Sequence, residues 1–95
     1  MTASGLLSKR ARVGARVGLH ARPVALIAQK AATLTAQVKI GRDGRDAVDA
    51  RSPLLLMTLG AEHGDEVVVQ AEGPGAEQAL AEIVAMVEAD LDASP

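Results

Sequence analysis

The chain of 95 residues contains no Phe, Tyr or Trp, and this absence restricts how it can build a core. An interior without aromatic rings must be filled by closely packed Val, Leu, Ile, Ala and Met side chains. Ninety-five residues suffice for one core of two packed layers but not for two independent cores. A surface that binds single-stranded nucleic acid usually stacks bases on aromatic rings. The sequence therefore predicts one aliphatic domain that does not bind nucleic acid.

Other features of the sequence disfavour several further classes of protein. The chain has no Cys, which leaves no disulfide framework, zinc–thiolate site or thiol nucleophile. The apolar part of the first seven residues is too short for a secretory signal. No run of 18 apolar residues occurs, so we expect no insertion into a membrane. These features favour a cytoplasmic location.

The charges are divided unevenly along the chain. Residues 1–51 hold all ten Lys and Arg against three Asp, a net charge of +7, whereas residues 52–95 hold nine acidic residues and no Lys or Arg, a net charge of −9. Such a division is either a consequence of sequence order alone or a real basic patch that faces an anionic group or an acidic partner. The sequence leaves both interpretations open.

The hydrophobic spacing predicts an α+β fold with the element order β-α-β-β-α-β-α. Period-two alternation indicates four strands, and apolar stripes at helical spacing indicate helices. Strands are expected from near Leu7 and around residues 36–40, 47–50 and 66–71; helices are expected over 21–34, over 54–59, and from Gly73-Pro74-Gly75 to about Leu91. Asp43-Gly44 predicts a two-residue hairpin turn. This order favours three helices on one face of an antiparallel sheet.

His20 lies where a loop turns into the first helix. As the N-cap it would place Pro23 in the first turn, where a missing N–H costs no intrahelical bond. Leu19 and Val24 would then form a hydrophobic staple that fixes the angle of entry. Gly18 allows close backbone approach or a positive φ.

This position favours an anion beside the imidazole. The first N–H groups of a helix and its dipole attract negative charge, worth roughly 0.3–1 kcal/mol at an exposed site. Arg22 can direct its guanidinium to the same place, and Arg16 adds charge from the loop. A neutral imidazole nitrogen is a nucleophile toward phosphorus, and such weak stabilisation suits a group that must be passed on. An ordinary surface or capping histidine and a general anion site are the alternatives. A metal site is disfavoured, since only His63, which is expected in a solvated turn, could join His20.

The segment Gly18-Leu19-His20-Ala21-Arg22-Pro23 resembles the active site of the histidine-containing phosphocarrier (HPr) family of the sugar phosphotransferase system. Ser52 with Leu56-Met57-Thr58-Leu59-Gly60 resembles the second-helix segment of that family, and the similarity covers about Leu7 to Leu91. It implies an open-faced β-sandwich of strand order 1-4-2-3, with a phosphocarrier domain over 7–91 and flexible ends at 1–6 and 92–95.

The resemblance also implies the chemistry. His20 would take phosphate on Nδ1 from Enzyme I and pass it to IIA proteins, with no cofactor or metal. Arg22 would steady the phosphate, and Gly18, Leu19, Ala21 and Pro23 would form the orienting loop and cap. The protein would be a phosphorylated carrier and a monomer, not an enzyme with turnover of its own. Val17 stands where many relatives have a polar residue, which leaves open what orients the ring.

Ser52 is predicted to cap the second helix, with Pro53 at its first position. In many relatives the matching serine is phosphorylated by an ATP-dependent kinase. Arg51 precedes it where Lys is frequent, but Pro53 follows where an aliphatic residue is usual and removes a backbone donor. Regulation by a serine kinase at Ser52 is therefore one interpretation and a purely structural cap is the other.

The second helix is apolar on all sides, and a two-turn helix cannot bury every face. We therefore expect a surface for partner proteins near His20, since adaptable Leu and Met side chains suit several partners. Its predicted members are Leu54, Leu55, Leu56 and Met57. The alternative is a helix buried deep in the core.

Two other functions compete with the carrier. The first is a regulatory binding module that keeps the fold without transferring phosphate, although the intact segment around His20 argues against it. The second is a small His-based hydrolase, which is disfavoured because no carboxylate motif and no Ser or Cys nucleophile signature accompanies the histidine.

Overall fold

The computed structural model describes residues 6–90, in which four strands and three helices follow the predicted order. Their bounds are β1 Leu7–Arg12, α1 Ala21–Ala32, β2 Gln37–Arg42, β3 Arg45–Asp49, α2 Pro53–Met57, β4 Glu66–Glu72 and α3 Ala76–Glu88. The flexible ends predicted at 1–6 and 92–95 lie, apart from Leu6, outside the described residues, as does Leu91.

The strands form one antiparallel sheet of order β1-β4-β2-β3, which confirms the expected open-faced arrangement. β1 pairs with β4 from Leu7 opposite Ala71 to Arg12 opposite Glu66. The loop that follows β1 and the loop that precedes β4 therefore meet at the same end of the sheet. This end carries the candidate site.

The predicted hairpin joins β2 and β3. Arg42 pairs with Arg45 across the two-residue turn, and Gly44 takes a φ of 82°. A residue with a Cβ adopts this conformation only at a cost, which explains the Asp-Gly signal.

The core lies between one face of the sheet and the helices. Alternate residues of β4, from Val67 through Val69 to Ala71, are buried, and the described part of the chain buries no polar or charged residue. α1 contributes Val24, Ile27, Ala28 and Ala31, and α3 contributes Ala76, Ala79, Ile83, Val84 and Val87. Both predicted helical stripes are thus confirmed within residues 6–90.

All three helices end earlier than their hydrophobic spacing suggests. α2 stops at Met57 rather than Leu59, because the N–H groups of residues 58–60 donate to the carbonyls of residues 55–57 in i→i+3 bonds. α1 stops at Ala32 rather than Leu34, because Thr33 and Leu34 donate to Lys30 and Ala31 and so tighten the last turn to i→i+3 bonds. α3 ends at Glu88, since its C-cap Ala89 is already extended, with a ψ of 152°.

The uneven charge is partly neutralised across the two halves of the chain. Among residues 6–90, bases of the first half pair with acids of the second in contacts that include Arg10–Glu66 at 2.9 Å, Arg16–Asp90 at 3.4 Å, Lys30–Glu82 at 2.8 Å and Arg42–Asp65 at 3.4 Å. These contacts favour sequence order as the source of the asymmetry.

Candidate functional site

His20 is the N-cap of α1, as predicted. Its backbone is extended, with φ −100° and ψ −171°, and its carbonyl accepts the first helical bond from the N–H of Val24 at 3.0 Å. The imidazole makes no capping hydrogen bond, and its side chain is 56% exposed. The ring is therefore accessible at the positive end of the helix.

The loop before His20 is fixed by close packing against the loop before β4. Gly18 has a φ of 77°, and a Cβ there would lie 2.7 Å from the carbonyl oxygen of Ala61 and 2.9 Å from Cα of Glu62. The N–H of Leu19 donates to the same carbonyl at 2.9 Å. Gly18 is thus required for both its conformation and its close contact.

Leu19 and Val24 are both buried in the core, with exposed fractions of 4% and 0%. They occupy the two positions of a hydrophobic staple on either side of the N-cap. Pro23 between them is buried as well. Together they hold the start of α1 at a defined angle beneath the imidazole.

Glu62 is a member of the site that the sequence did not reveal. Its Oε1 lies 3.7 Å from Nε2 of His20. No carboxylate motif lies near this histidine in the sequence, and the carboxylate beside it comes from a distant loop. The two residues are far apart in the chain, and they meet only because β1 and β4 are antiparallel neighbours.

The loop that carries Glu62 is held in place by Asp65. The N–H of Glu62 donates to Oδ2 of Asp65 at 2.9 Å, and the N–H of Asp65 donates back to the carbonyl of Glu62 at 2.9 Å. The bond from the Glu62 N–H, aided by the nearby Arg42, lowers the pKa of the Asp65 carboxyl, although burial opposes this shift. The ionised carboxylate of Asp65 is thus the form that holds the backbone of Glu62 in place.

A shallow, open depression surrounds the exposed ring. It has a volume of about 570 Å³ and is lined by Val17, His20, Ala21, Arg22 and Pro23. Arg22 and His20 therefore line the same depression. Arg16 instead contacts Asp90 through its backbone N–H and its guanidinium.

Ser52 caps α2 as predicted: its hydroxyl oxygen accepts a hydrogen bond from the N–H of Leu55 at 3.2 Å, and Pro53 begins the helix. Phosphorylation of Ser52 by a kinase stays a prediction.

The predicted partner surface of α2 needs one correction. Leu54, Leu55 and Met57 are exposed by 73%, 42% and 41%, whereas Leu56 is completely buried. Leu56 lies on the inward side of the helix and packs in the core, so it cannot contact a partner. The exposed surface consists of Leu54, Leu55 and Met57.

His63 is exposed, in agreement with its interpretation as a turn residue. Within residues 6–90, no three His, Cys, Asp or Glu side chains are grouped as a metal site would require. No helix in that range is long and apolar enough to cross a bilayer.

Comparison with known proteins gives matches over nearly the whole chain. Residues 7–89 match the family model described as PTS HPr component phosphorylation site. Phosphocarrier protein HPr of Streptomyces coelicolor is 33% identical over 90 residues, which cover 95% of this chain and 97% of that protein.

Solved structures of HPr and of Crh are similar to this chain. HPr from Bacillus anthracis is similar with a TM-score of 0.81 and 36% identity, covering 86% of this chain and 96% of that one. Crh, a Bacillus subtilis catabolite repression protein solved as a domain-swapped dimer, has a TM-score of 0.69 and 36% identity, covering 85% and 94%.

Proposed function

This chain belongs to the HPr family of phosphocarrier proteins of the phosphotransferase system, and we propose that it carries phosphate on Nδ1 of His20. Phosphate would arrive from the phosphohistidine of Enzyme I and leave to IIA proteins in the cytoplasm. In the first step the Nδ1 lone pair forms a new P–N bond while the P–N bond to Enzyme I breaks. One phosphoryl group moves, and no cofactor is needed.

The observation that carries the proposal is the exposed imidazole at the N-cap of α1. Since the ring makes no capping bond, it is available to a partner, while the helix start favours the added negative charge. Arg22 lines the same depression, where its guanidinium can steady the phosphoryl oxygens. Gly18, Leu19, Ala21 and Pro23 support this arrangement from the loop and first turn.

The exposed side chains of Leu54, Leu55 and Met57 are the proposed contact surface for these partners. They form an apolar patch on a short helix, and such patches on small proteins mark interaction sites. Their flexible side chains can adapt to more than one protein surface. We propose that Enzyme I and IIA proteins use this patch in turn.

Labelling with phosphoenolpyruvate and Enzyme I tests the proposal. The wild-type protein should gain one phosphoryl group, measured by intact mass, in an acid-labile and base-stable form. His20→Ala should gain none, and the matched control His63→Ala should be labelled as the wild type is. Arg22→Ala should be labelled more slowly with an unchanged circular dichroism spectrum.

Undiminished labelling of His20→Ala would contradict the site. An unlabelled wild-type protein would favour the regulatory binding module instead.

A further inference from the structure

We propose that Glu62 is a positioning residue for His20: its carboxylate holds the Nε2–H tautomer of the imidazole, so that Nδ1 presents the lone pair to phosphorus. This role rests on the proposed function of His20 as phosphoryl acceptor. Glu62 would thus orient the ring in place of residue 17, since Val17 lines the same depression but has no side chain that can form a hydrogen bond.

The geometry of the pair carries the proposal. Oε1 of Glu62 lies 3.7 Å from Nε2 of His20, so an approach of about 0.5 Å would bring the two atoms to hydrogen-bond distance. The two nitrogens of an imidazole lie on different edges of the ring. A carboxylate that binds at Nε2 therefore leaves the Nδ1 edge to another group.

Glu62 is also held where it can act. Its backbone packs against Gly18, and the carbonyl of the preceding Ala61 accepts the N–H of Leu19. On the other side, Gly64 and Val13 share a hydrogen bond of 2.8 Å, which ties the same loop to the end of β1. The carboxylate thus stands on backbone that is linked to the His20 loop.

The chemical consequence follows from the properties of a neutral imidazole. One ring nitrogen carries the proton and the other carries the lone pair, and the hydrogen bond made by the first selects the tautomer. A carboxylate accepts but cannot donate, so it favours a proton on Nε2. Only Nδ1 can then attack phosphorus, and the Nε2 proton stays in place while the P–N bond forms.

The size of the effect is limited by exposure. Both side chains are more than half exposed, at 56% and 65%. Water screens such an exposed contact, and because the ring is neutral its effect stays within the range of exposed pairs of charges, about a 1.4- to fivefold change in an equilibrium. A change of this size is measurable in a tautomer ratio.

Nitrogen-15 NMR of the unphosphorylated protein tests the proposal. Spectra of the His20 ring, taken in alkaline buffer where imidazole is neutral, give the ratio of Nε2–H to Nδ1–H. Glu62→Ala should lower this ratio by up to about fivefold, because the acceptor is lost. Glu62→Gln should fall in between, since it keeps an acceptor oxygen but not the charge.

The matched control is Glu77→Ala, which removes an exposed acid of α3 and changes the net charge equally. It should leave the His20 ratio unchanged. An equal ratio in the wild type and Glu62→Ala would overturn the proposal. The NMR measurement needs no partner protein, so a wild type that Enzyme I fails to label would contradict the carrier function separately.

Labelling by Enzyme I gives the functional counterpart. The initial rate for Glu62→Ala should fall by no more than about fivefold, the limit set by an exposed pair. Glu62→Gln should recover part of the rate. No recovery in Glu62→Gln, together with an altered backbone amide spectrum, would identify a structural role instead.

Discussion

Replacing Gly18 by alanine tests the close contact between the loop that carries His20 and the loop that carries Glu62. The glycine has a φ of 77°, and the new Cβ would lie 2.7 Å from the carbonyl oxygen of Ala61. Gly44 is a matched control, because its φ is 82° and an added Cβ would meet nothing within 4 Å. The two variants therefore share the conformational cost and differ in the contact.

The expected losses of unfolding free energy differ between Gly18→Ala and Gly44→Ala. A positive φ lowers the free energy of unfolding of a residue with a Cβ by about 1–2 kcal/mol. Alanine also reduces the conformational entropy of the unfolded chain, which offsets about 0.4–1 kcal/mol of this loss in both variants. At position 18 the opposing backbone must also move about 0.7 Å to reach the ordinary contact distance of 3.4 Å. Such overpacking typically adds about 1–3 kcal/mol.

Urea denaturation followed by circular dichroism measures the difference. Gly18→Ala should lose about 1–3 kcal/mol more free energy of unfolding than Gly44→Ala. Its Tm should be lower by about 4–8 °C for each additional kcal/mol. An equal loss of stability in the two variants would refute the close contact of the loops.

Two further perturbations follow from burial and charge. Leu56→Ala should cost about 2–5 kcal/mol of unfolding free energy because it empties a core position, whereas Leu54→Ala should stay within about 0.5 kcal/mol; similar urea midpoints for both would contradict the assigned faces of α2. The pKa values of Asp49, Asp65 and Glu82 are lowered in the fold, chiefly by hydrogen bonds from Arg51, Glu62 and Lys30 respectively. Groups with lowered pKa values stabilise the protein above the unfolded values near pH 4, and this contribution is lost as the pH falls through the folded ones. The urea concentration at the unfolding midpoint should therefore decrease as the pH is lowered below about 4. The decrease should be less steep in Asp65→Asn, and the same dependence of the midpoint on pH in that variant and the wild type would count against this role for Asp65.

The element order was predictable because each element is marked locally. Alternation in β4, the stripe in α3 and the Asp43-Gly44 turn each depend on neighbours in the chain. The same holds for the two N-caps, His20 and Ser52, which are recognised by the residues that follow them. The strand order came from the family resemblance and not from spacing.

What escaped prediction depends on contacts between distant segments. No neighbouring residue in the sequence indicates that Glu62 belongs to the site. Its approach to His20 follows from the pairing of β1 with β4. Leu56 could not be distinguished from Leu54 or Met57, since α2 is apolar on every side and its inner face is selected by packing against α1 and β3. Arg16 similarly contacts Asp90, a residue at the far end of the chain.

The strand order has a consequence for how the chain folds during synthesis. β4 lies between β1 and β2, so β1 has no partner until residues 66–72 have left the ribosome. Until then the emerging segment carries its excess of Lys and Arg without the acids that later pair with it. Sheet closure then depends on contacts between distant residues, which form slowly because the intervening chain must first be ordered. Closure of the sheet therefore also brings acids of the second half to bases of the first, as in the pair of Arg10 on β1 with Glu66 on β4.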